Sequence, residues 1–360
     1  LYLGVILHNP GKQPVTVDVL QAASYLSQPD APFVELPPYV DNPTGSVFAG
    51  PGSRAMDDVL RGKRQSDFPA QIVIPAGQSA MLMNLPIPVK TLTPPLNGRS
   101  SLLRLSSNGT IYAASLAMFA KPEADGNERA PTTEEWQALL ETGGFAGPRD
   151  KPPTPPDATG GAFAYGRVAG VAPGSRWRTQ VVDNPNASVA NWFLSIPPAG
   201  QAFSYGLSTL LRGRLGTEQD QTVAMTVRYP DTAYRTHGNY AIEYNLTLPL
   251  RNTTNQTQTV AIAVETPIKE DKLSKNGLRF FNPLPRNVFF RGTVRLRYTD
   301  DQGLPQTRYV HLVQRRGQQG EPLAVMTIKP GDRRLVQFDF LYPPDATPPQ
   351  ILTIKSLEQP

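Results

Sequence analysis

From Ala241 to Leu250 every second residue is apolar: Ile242, Tyr244, Leu246, Leu248 and Leu250 alternate with Ala241, Glu243, Asn245, Thr247 and Pro249. A period of two sends the two sets to opposite faces of an extended strand, so this stretch predicts a half-buried β-strand. The same alternation opens the chain. Leu1, Leu3, Val5 and Leu7 interleave with Tyr2, Gly4, Ile6 and His8, and Val15, Val17 and Val19 follow an Asn9-Pro10-Gly11-Lys12 turn. A strand apolar on both sides is internal. The short turn predicts an antiparallel hairpin over residues 1–20.

Long helices are closed off by proline. With 38 prolines, 29 glycines and only 18% charged residues, the chain favours short strands joined by turns, and an all-β class is expected. Its 360 residues exceed the roughly 250–300 at which single cores stop growing, so two domains are expected. Asn108-Gly109 predicts a hairpin between Ser101–Leu105 and Thr110–Phe119. Thr132 and Glu135 form a capping box ahead of Trp136, Leu139 and Leu140, and Gly143-Gly144 supplies a stop, so one short helix is predicted over about 132–142. Pro148, Pro152, Pro153, Pro155 and Pro156 then make a semi-rigid spacer.

An internal echo points to the architecture. Leu7-His8-Asn9 followed by valines at 15, 17 and 19 resembles Leu250-Arg251-Asn252 followed by Val260, Ile262 and Val264. Ile74-Pro75-Ala76-Gly77-Gln78 resembles Ile328-Lys329-Pro330-Gly331-Asp332. Two tandem immunoglobulin-like antiparallel β-sandwiches would produce this order. The expected division is a first sandwich over 1–120, a linker with the helix over 121–161, and a second, larger sandwich over 162–360.

Several chemistries lack their residues. There is no cysteine, which removes disulfides, thiolate nucleophiles and cysteine metal sites together. His8, His237 and His311 lie on separate elements with no metal-ligand spacing, and His311 alternates with Tyr309 and Val313 like a packed strand residue. No Gly-x-Ser-x-Gly elbow or phosphate-cradling loop occurs; Gly143-Gly144 to Gly147 lacks the preceding strand and the lysine. Asp57-Asp58 and Asp300-Asp301 are adjacent pairs, poorly placed as a general acid and base. A non-catalytic protein without cofactor or metal is therefore expected. No apolar run approaches the roughly 18 residues of a membrane helix.

The net charge is +5, and it is local: from Asp271 onward 14 Lys and Arg face 8 Asp and Glu. Such an excess suits anionic polysaccharide, lipid head groups or nucleic acid, or simply the wet face of a sheet. Basic residues interleave with aromatics at Arg176-Trp177-Arg178 and across the loop ahead of Ala241. Tyr229, Asp231, Tyr234, Arg235, His237, Tyr240 and Trp177 are the candidate ligand-binding residues. The alternative is that the tyrosines plug the end of a sandwich. A nucleic-acid module would be more basic overall, so carbohydrate is the expected ligand class if there is one.

The run Arg212-Gly213, Gly216-Thr217, Arg228-Tyr229-Pro230-Asp231-Thr232-Ala233-Tyr234, His237-Gly238-Asn239-Tyr240 and Tyr244-Asn245-Leu246-Thr247-Leu248-Pro249-Leu250 resembles the cyanobacterial family known as domain of unknown function 3370. Leu3-Gly4 to Asn9-Pro10 and Phe338 to Pro344 fit it as well. The resemblance implies an exported cell-envelope protein with a cleaved signal, and supplies no catalytic residues. A start upstream of Leu1, carrying any signal or anchor, fits that expectation. The expected partners are envelope polysaccharide or another envelope protein. Two alternatives stay open: a carbohydrate-active enzyme using carboxylates near 229–240, and an assembly subunit pairing through strand edges.

Overall fold

The computed structural model describes residues 1–144 and 151–358; Pro148 of the predicted spacer, and Gly147, lie outside them. The protein is mostly β, with two α-helices among the described residues. It divides into two compact units, Leu1–Phe33 with Gly50–Pro148, and Val34–Ala49 with Arg149–Pro360.

In chain order the first strands are β1 (Tyr2–His8), β2 (Val15–Leu26), β3 (Tyr39–Asp41), β4 (Gln71–Ile74), β5 (Ser79–Pro86), β6 (Arg99–Ser107) and β7 (Tyr112–Met118). All but β3 belong to unit 1. They form two three-stranded antiparallel sheets, β5-β1-β7 and β4-β2-β6. Leu7 and Met83 from one sheet and Val17, Val19 and Ile74 from the other share one core. Helix α1 (Pro51–Leu60) packs on β2 and β6, and its Asp57 and Asp58 are bound by Arg61 and Lys63. The outer face of β1 is covered by α2 (Thr133–Thr142), which starts at a capping box between Thr132 and Glu135. Its fully buried Trp136 lies over Gly4, where a Cβ would stand 2.9 Å from the indole ring. That contact explains why β1 is apolar on both sides.

Unit 2 contains β8 (Arg176–Gln180), β9 (Ala202–Leu207), β10 (Glu243–Arg251), β11 (Gln258–Glu265), β12 (Val288–Thr299), β13 (Pro305–Arg315), β14 (Pro322–Ile328), β15 (Arg333–Leu341) and β16 (Gln350–Ser356). A seven-stranded sheet runs β8-β10-β15-β12-β13-β3, with Leu194–Ser195 also paired to β10. A four-stranded sheet runs β9-β16-β11-β14. Both sheets feed one core: Tyr244, Leu246, Leu248, Phe338 and Phe340 from the first, Val260, Ile262, Leu352 and Ile354 from the second. The predicted alternation along β10 is observed. The sheet is not purely antiparallel, because β8 runs parallel to β10.

The turns expected to make hairpins instead carry the chain from one sheet to the facing one. β1 pairs with β5 and β7, whereas β2 pairs with β4 and β6. β10 and β11 are likewise in different sheets, and so are β6 and β7 on either side of Asn108-Gly109. Alternation fixes which side of a strand is buried; it does not say whether the next strand lies beside it or across the core. The hairpin predicted over 1–20, and the one at Asn108-Gly109, are therefore arches. β12 and β13, joined at Asp300–Leu304, form a true hairpin.

The two sequence echoes turn out to be one device used twice. At the first arch Asn9 is fully buried, and its Nδ2 donates to Gln13 O (2.8 Å) and Ile74 O (3.0 Å) while its Oδ1 accepts from Gly11 N (2.9 Å). Its backbone exchanges bonds with Gly77 and Gln78. At the second arch Asn252 is also fully buried; Nδ2 donates to Gln256 O (2.7 Å) and Ile328 O (2.8 Å), and Oδ1 accepts from Thr254 N (2.9 Å). Its backbone exchanges bonds with Gly331 and Asp332. Three pairings correspond: β1 with β5 as β10 with β15, β2 with β4 as β11 with β14, and β2 with β6 as β11 with β16.

A buried carbonyl left without a donor costs roughly 1–3 kcal/mol. Asn252→Ala strips donors from two, so chemical denaturation is expected to show a loss of about 2–4 kcal/mol. Asn252→Asp, which cannot donate, is expected to lose as much rather than to rescue it.

Candidate functional site

The inner face of the four-stranded sheet is filled by Val260, Ile262, Val264, Leu352 and Ile354, so its alternate residues face outward. Six of the nine outward residues on its three central strands are Gly, Ala, Ser or Thr. Three cross-strand rows run over the surface: Ala202–Lys355–Ala261, Ser204–Thr353–Ala263 and Gly206–Ile351–Glu265. All nine line a groove of about 700 Å³. Leu215 and Gly216, fixed by backbone bonds to Glu270 and Asp271, line it as well, with Leu273 packed against Gly216 and Leu278 and Phe280 in the same segment.

One polar chain crosses this floor. Thr353 Oγ1 donates to Glu265 Oε2 (2.6 Å), which leaves it to accept from Ser204 Oγ (2.9 Å). Glu265 Oε1 accepts from Gly320 N (3.3 Å). The groove thus offers apolar walls, one aromatic ring, a carboxylate polarised by hydroxyls and, at one end of the floor, Lys355. Its volume is within the ~300–1,000 Å³ usual for ligand pockets.

The loops between β9 and β10 are held by a buried polar network. Gln221 Oε1 accepts from Ser208 N (2.7 Å) and Tyr244 OH (2.9 Å), its Nε2 donates to Gly206 O (2.8 Å), and Asn239 Nδ2 donates to Ser208 Oγ (3.1 Å). Among the described residues every non-glycine with a left-handed φ falls here: Ser208, Arg212, Leu215, Glu218, Asn239 and Ala241. Such conformations cost energy and persist only where the surroundings dictate them. The network, anchored on β10, does so for Ser208 and Asn239, and backbone bonds to Glu270 and Tyr342 hold Leu215 and Ala241.

A second cavity of about 370 Å³ opens beside this network, lined by Tyr165, His237, Tyr240 and Lys269 among others. His237 is buried, its ring centroid 4.6 Å from that of Tyr165, and burial pushes it down to about 4. Lys269 Nζ donates to Tyr165 OH (2.9 Å), which donates to Leu211 O (2.8 Å). Burial pushes Lys269 down to about 8 and Tyr165 up to about 12.

Of the candidates read from the sequence, His237 and Tyr240 reach this cavity. Tyr234 lies under the Arg228 guanidinium at 3.8 Å, and Arg228 also ties the turn by donating to the carbonyls of Tyr229 and Thr232. Tyr229 and Asp231 are half-buried in that turn. Arg235 donates to Thr222 Oγ1 and Thr222 O (both 2.7 Å) and pairs with Asp220 (3.3 Å). Trp177 packs on the core, and its Nε1 donates to Tyr205 OH (2.9 Å). His311 is fully buried in β13, bonded to Thr293 Oγ1 (3.2 Å) and pushed down to about 4 by burial. Among the described residues no three of His, Asp and Glu converge as metal ligands, and no helix is long and apolar enough to cross a membrane.

Residues 1–356 match the sequence model of a family described as proteins of unknown function, DUF3370. The chain belongs to the DUF3370 family. The resemblance carried by Arg228–Tyr234 and Tyr244–Leu250 therefore extends over nearly the whole chain. No curated protein matches this DUF3370 chain.

The two buried histidines give the DUF3370 fold a defined acid response. Each has a folded value below its unfolded value of about 6.5, so between those values the unfolded chain binds more protons. Their contribution is fully present above pH ~6.5 and is lost as pH falls toward 4, by about 1.4 kcal/mol per pH unit for each. NMR titration is expected to find neither imidazole protonated between pH 8 and 5, and His311→Gln is expected to flatten the fall in stability below pH 6.5.

Proposed function

We propose that this protein is a non-catalytic binding module whose ligand is a segment of neutral polysaccharide seated in the groove over the four-stranded sheet. The observation that carries the reading is the floor: nine residues in three rows, mostly Gly, Ala, Ser and Thr, open room on a sheet face that large side chains would fill. Sugar rings present an apolar face and a rim of hydroxyls. Phe280 suits the first and the Ser204–Thr353–Glu265 chain suits the second. The groove lies on strands rather than on loops, so its shape is set by the sheet.

Two further readings go with this proposal. The shared pairing scheme of the two units, closed by Asn9 and Asn252, supports tandem immunoglobulin-like sandwiches. A polysaccharide ligand suits an exported envelope protein. Cell fractionation tests the location: native protein recovered only from cytosol contradicts it.

Binding is tested by isothermal titration against a panel of neutral oligosaccharides. Ala263→Leu places a branched side chain on the groove floor and Phe280→Ala removes the aromatic ring. Each is expected to weaken binding at least about tenfold, or ~1.4 kcal/mol, while leaving the fold intact. Unchanged affinity in both variants, or hydrolysis of the bound oligosaccharide, contradicts the proposal.

A further inference from the structure

The cavity at Tyr165 and Lys269 is separate chemistry from the groove. Lys269 is half-buried, and among the described residues no carboxylate oxygen comes within 4 Å of its ammonium; its partners are the Tyr165 hydroxyl at 2.9 Å and the Tyr165 ring face at 4.6 Å. The lysine stem is closely fitted. Gly213 makes room for it, since a Cβ there would stand 2.7 Å from Lys269 Cε. Tyr165 OH spends its own hydrogen on Leu211 O, so it accepts from the ammonium and leaves two of the three N–H donors of Lys269 without a partner among the described residues.

A half-buried cation without a counter-charge is costly to the fold, and here the cavity beside it stands open. The charges around it are mixed but lean positive. Asp271 is the carboxylate whose field reaches Lys269 and Tyr165; Arg212 acts on Tyr165 and stacks on Phe163 at 4.6 Å; Arg167 lines the cavity; His237 is neutral above pH ~5, with Asp220 and Arg235 acting on it in opposite senses. The remaining wall is apolar, with Leu210, Val168, Pro348 and the exposed ring of Tyr240.

We infer that this cavity is a binding site for a small organic oxyanion, a carboxylate or phosphate monoester on a ring-sized body, whose charge completes the Lys269–Tyr165 pair and whose body rests against Tyr240. The burial that lowers Lys269 to about 8 is the same cost the anion would relieve, so binding draws the ammonium back toward its ordinary value. Affinity is therefore greatest below pH ~8. Above that it falls by up to about tenfold per pH unit as the free protein loses its proton.

The test is titration of the whole chain at pH 7 with glucuronate, glucose 1-phosphate and glucose, repeated with glucuronate at pH 9.5. At least one of the two anions is expected to bind and glucose is not; a carboxylate ligand and a phosphate ligand are told apart by which anion binds more tightly. Lys269→Met is expected to lose at least about tenfold, and the groove variant Phe280→Ala to retain anion affinity, so failure of this site and of the groove are separable. The wild-type pH dependence needs no variant to fold. Binding of neither anion at millimolar concentration, equal binding of glucose, affinity unchanged between pH 7 and 9.5, or full affinity in a folded Lys269→Met protein overturns the inference.

Discussion

The structure depends on the side-chain amide of one asparagine at each arch. Where a chain leaves one sheet for the facing one, it carries peptide groups through the rim of the core, out of reach of both ladders and largely out of reach of water. Asn9 and Asn252 supply what those groups lack, donating to carbonyls on the arch itself and on a strand about 65–76 residues away. One short polar side chain thereby fixes the arch, the distant turn and the spacing of the two sheets. With both strands of each arch pinned, the core can be built from residues as simple as Leu7, Val17, Leu250 and Val260, all fully buried.

The groove follows from the same arrangement. β11 leaves the second arch with its branched residues committed to the core, which turns Ala261, Ala263 and Glu265 outward next to the outward residues of β9 and β16. The network beside that face ties Gln221 both to the carbonyl of Gly206, on the groove floor, and to Tyr244 of β10, so one end of the floor is linked to the strand that enters the second arch. Backbone strain at Ser208 and at Asn239, next to His237, is maintained from the same place, while Leu215, on the groove wall, is held by the carbonyl of Glu270.

Much of this was legible in the sequence, and the omissions have physical causes. Strand positions followed from alternation, and α2 from the capping box at Thr132 and Glu135. The echo between Asn9 and Asn252 was visible as letters, but its meaning was not, because period-two patterning is blind to which sheet the next strand joins. The candidate loop drew attention through its tyrosines and arginines, several of which are occupied in holding the loop together, as Arg228 and Arg235 are. The groove went unread because Ala202, Ser204, Gly206, Ala261 and Ala263 carry no reactive group. Their signal is small outward side chains on strands where large polar ones are usual. Tyr165 and Lys269 lie 104 residues apart, beyond any local motif.

The most direct measurement is amide chemical-shift mapping of the isotope-labelled protein with a neutral oligosaccharide that binds it. The account predicts perturbations concentrated on Ala202–Gly206, Ala261–Glu265 and Ile351–Lys355, with Phe280 beside them. Shifts confined to Tyr229–Tyr240, or the absence of a perturbed patch on the four-stranded sheet at saturating ligand, would contradict it.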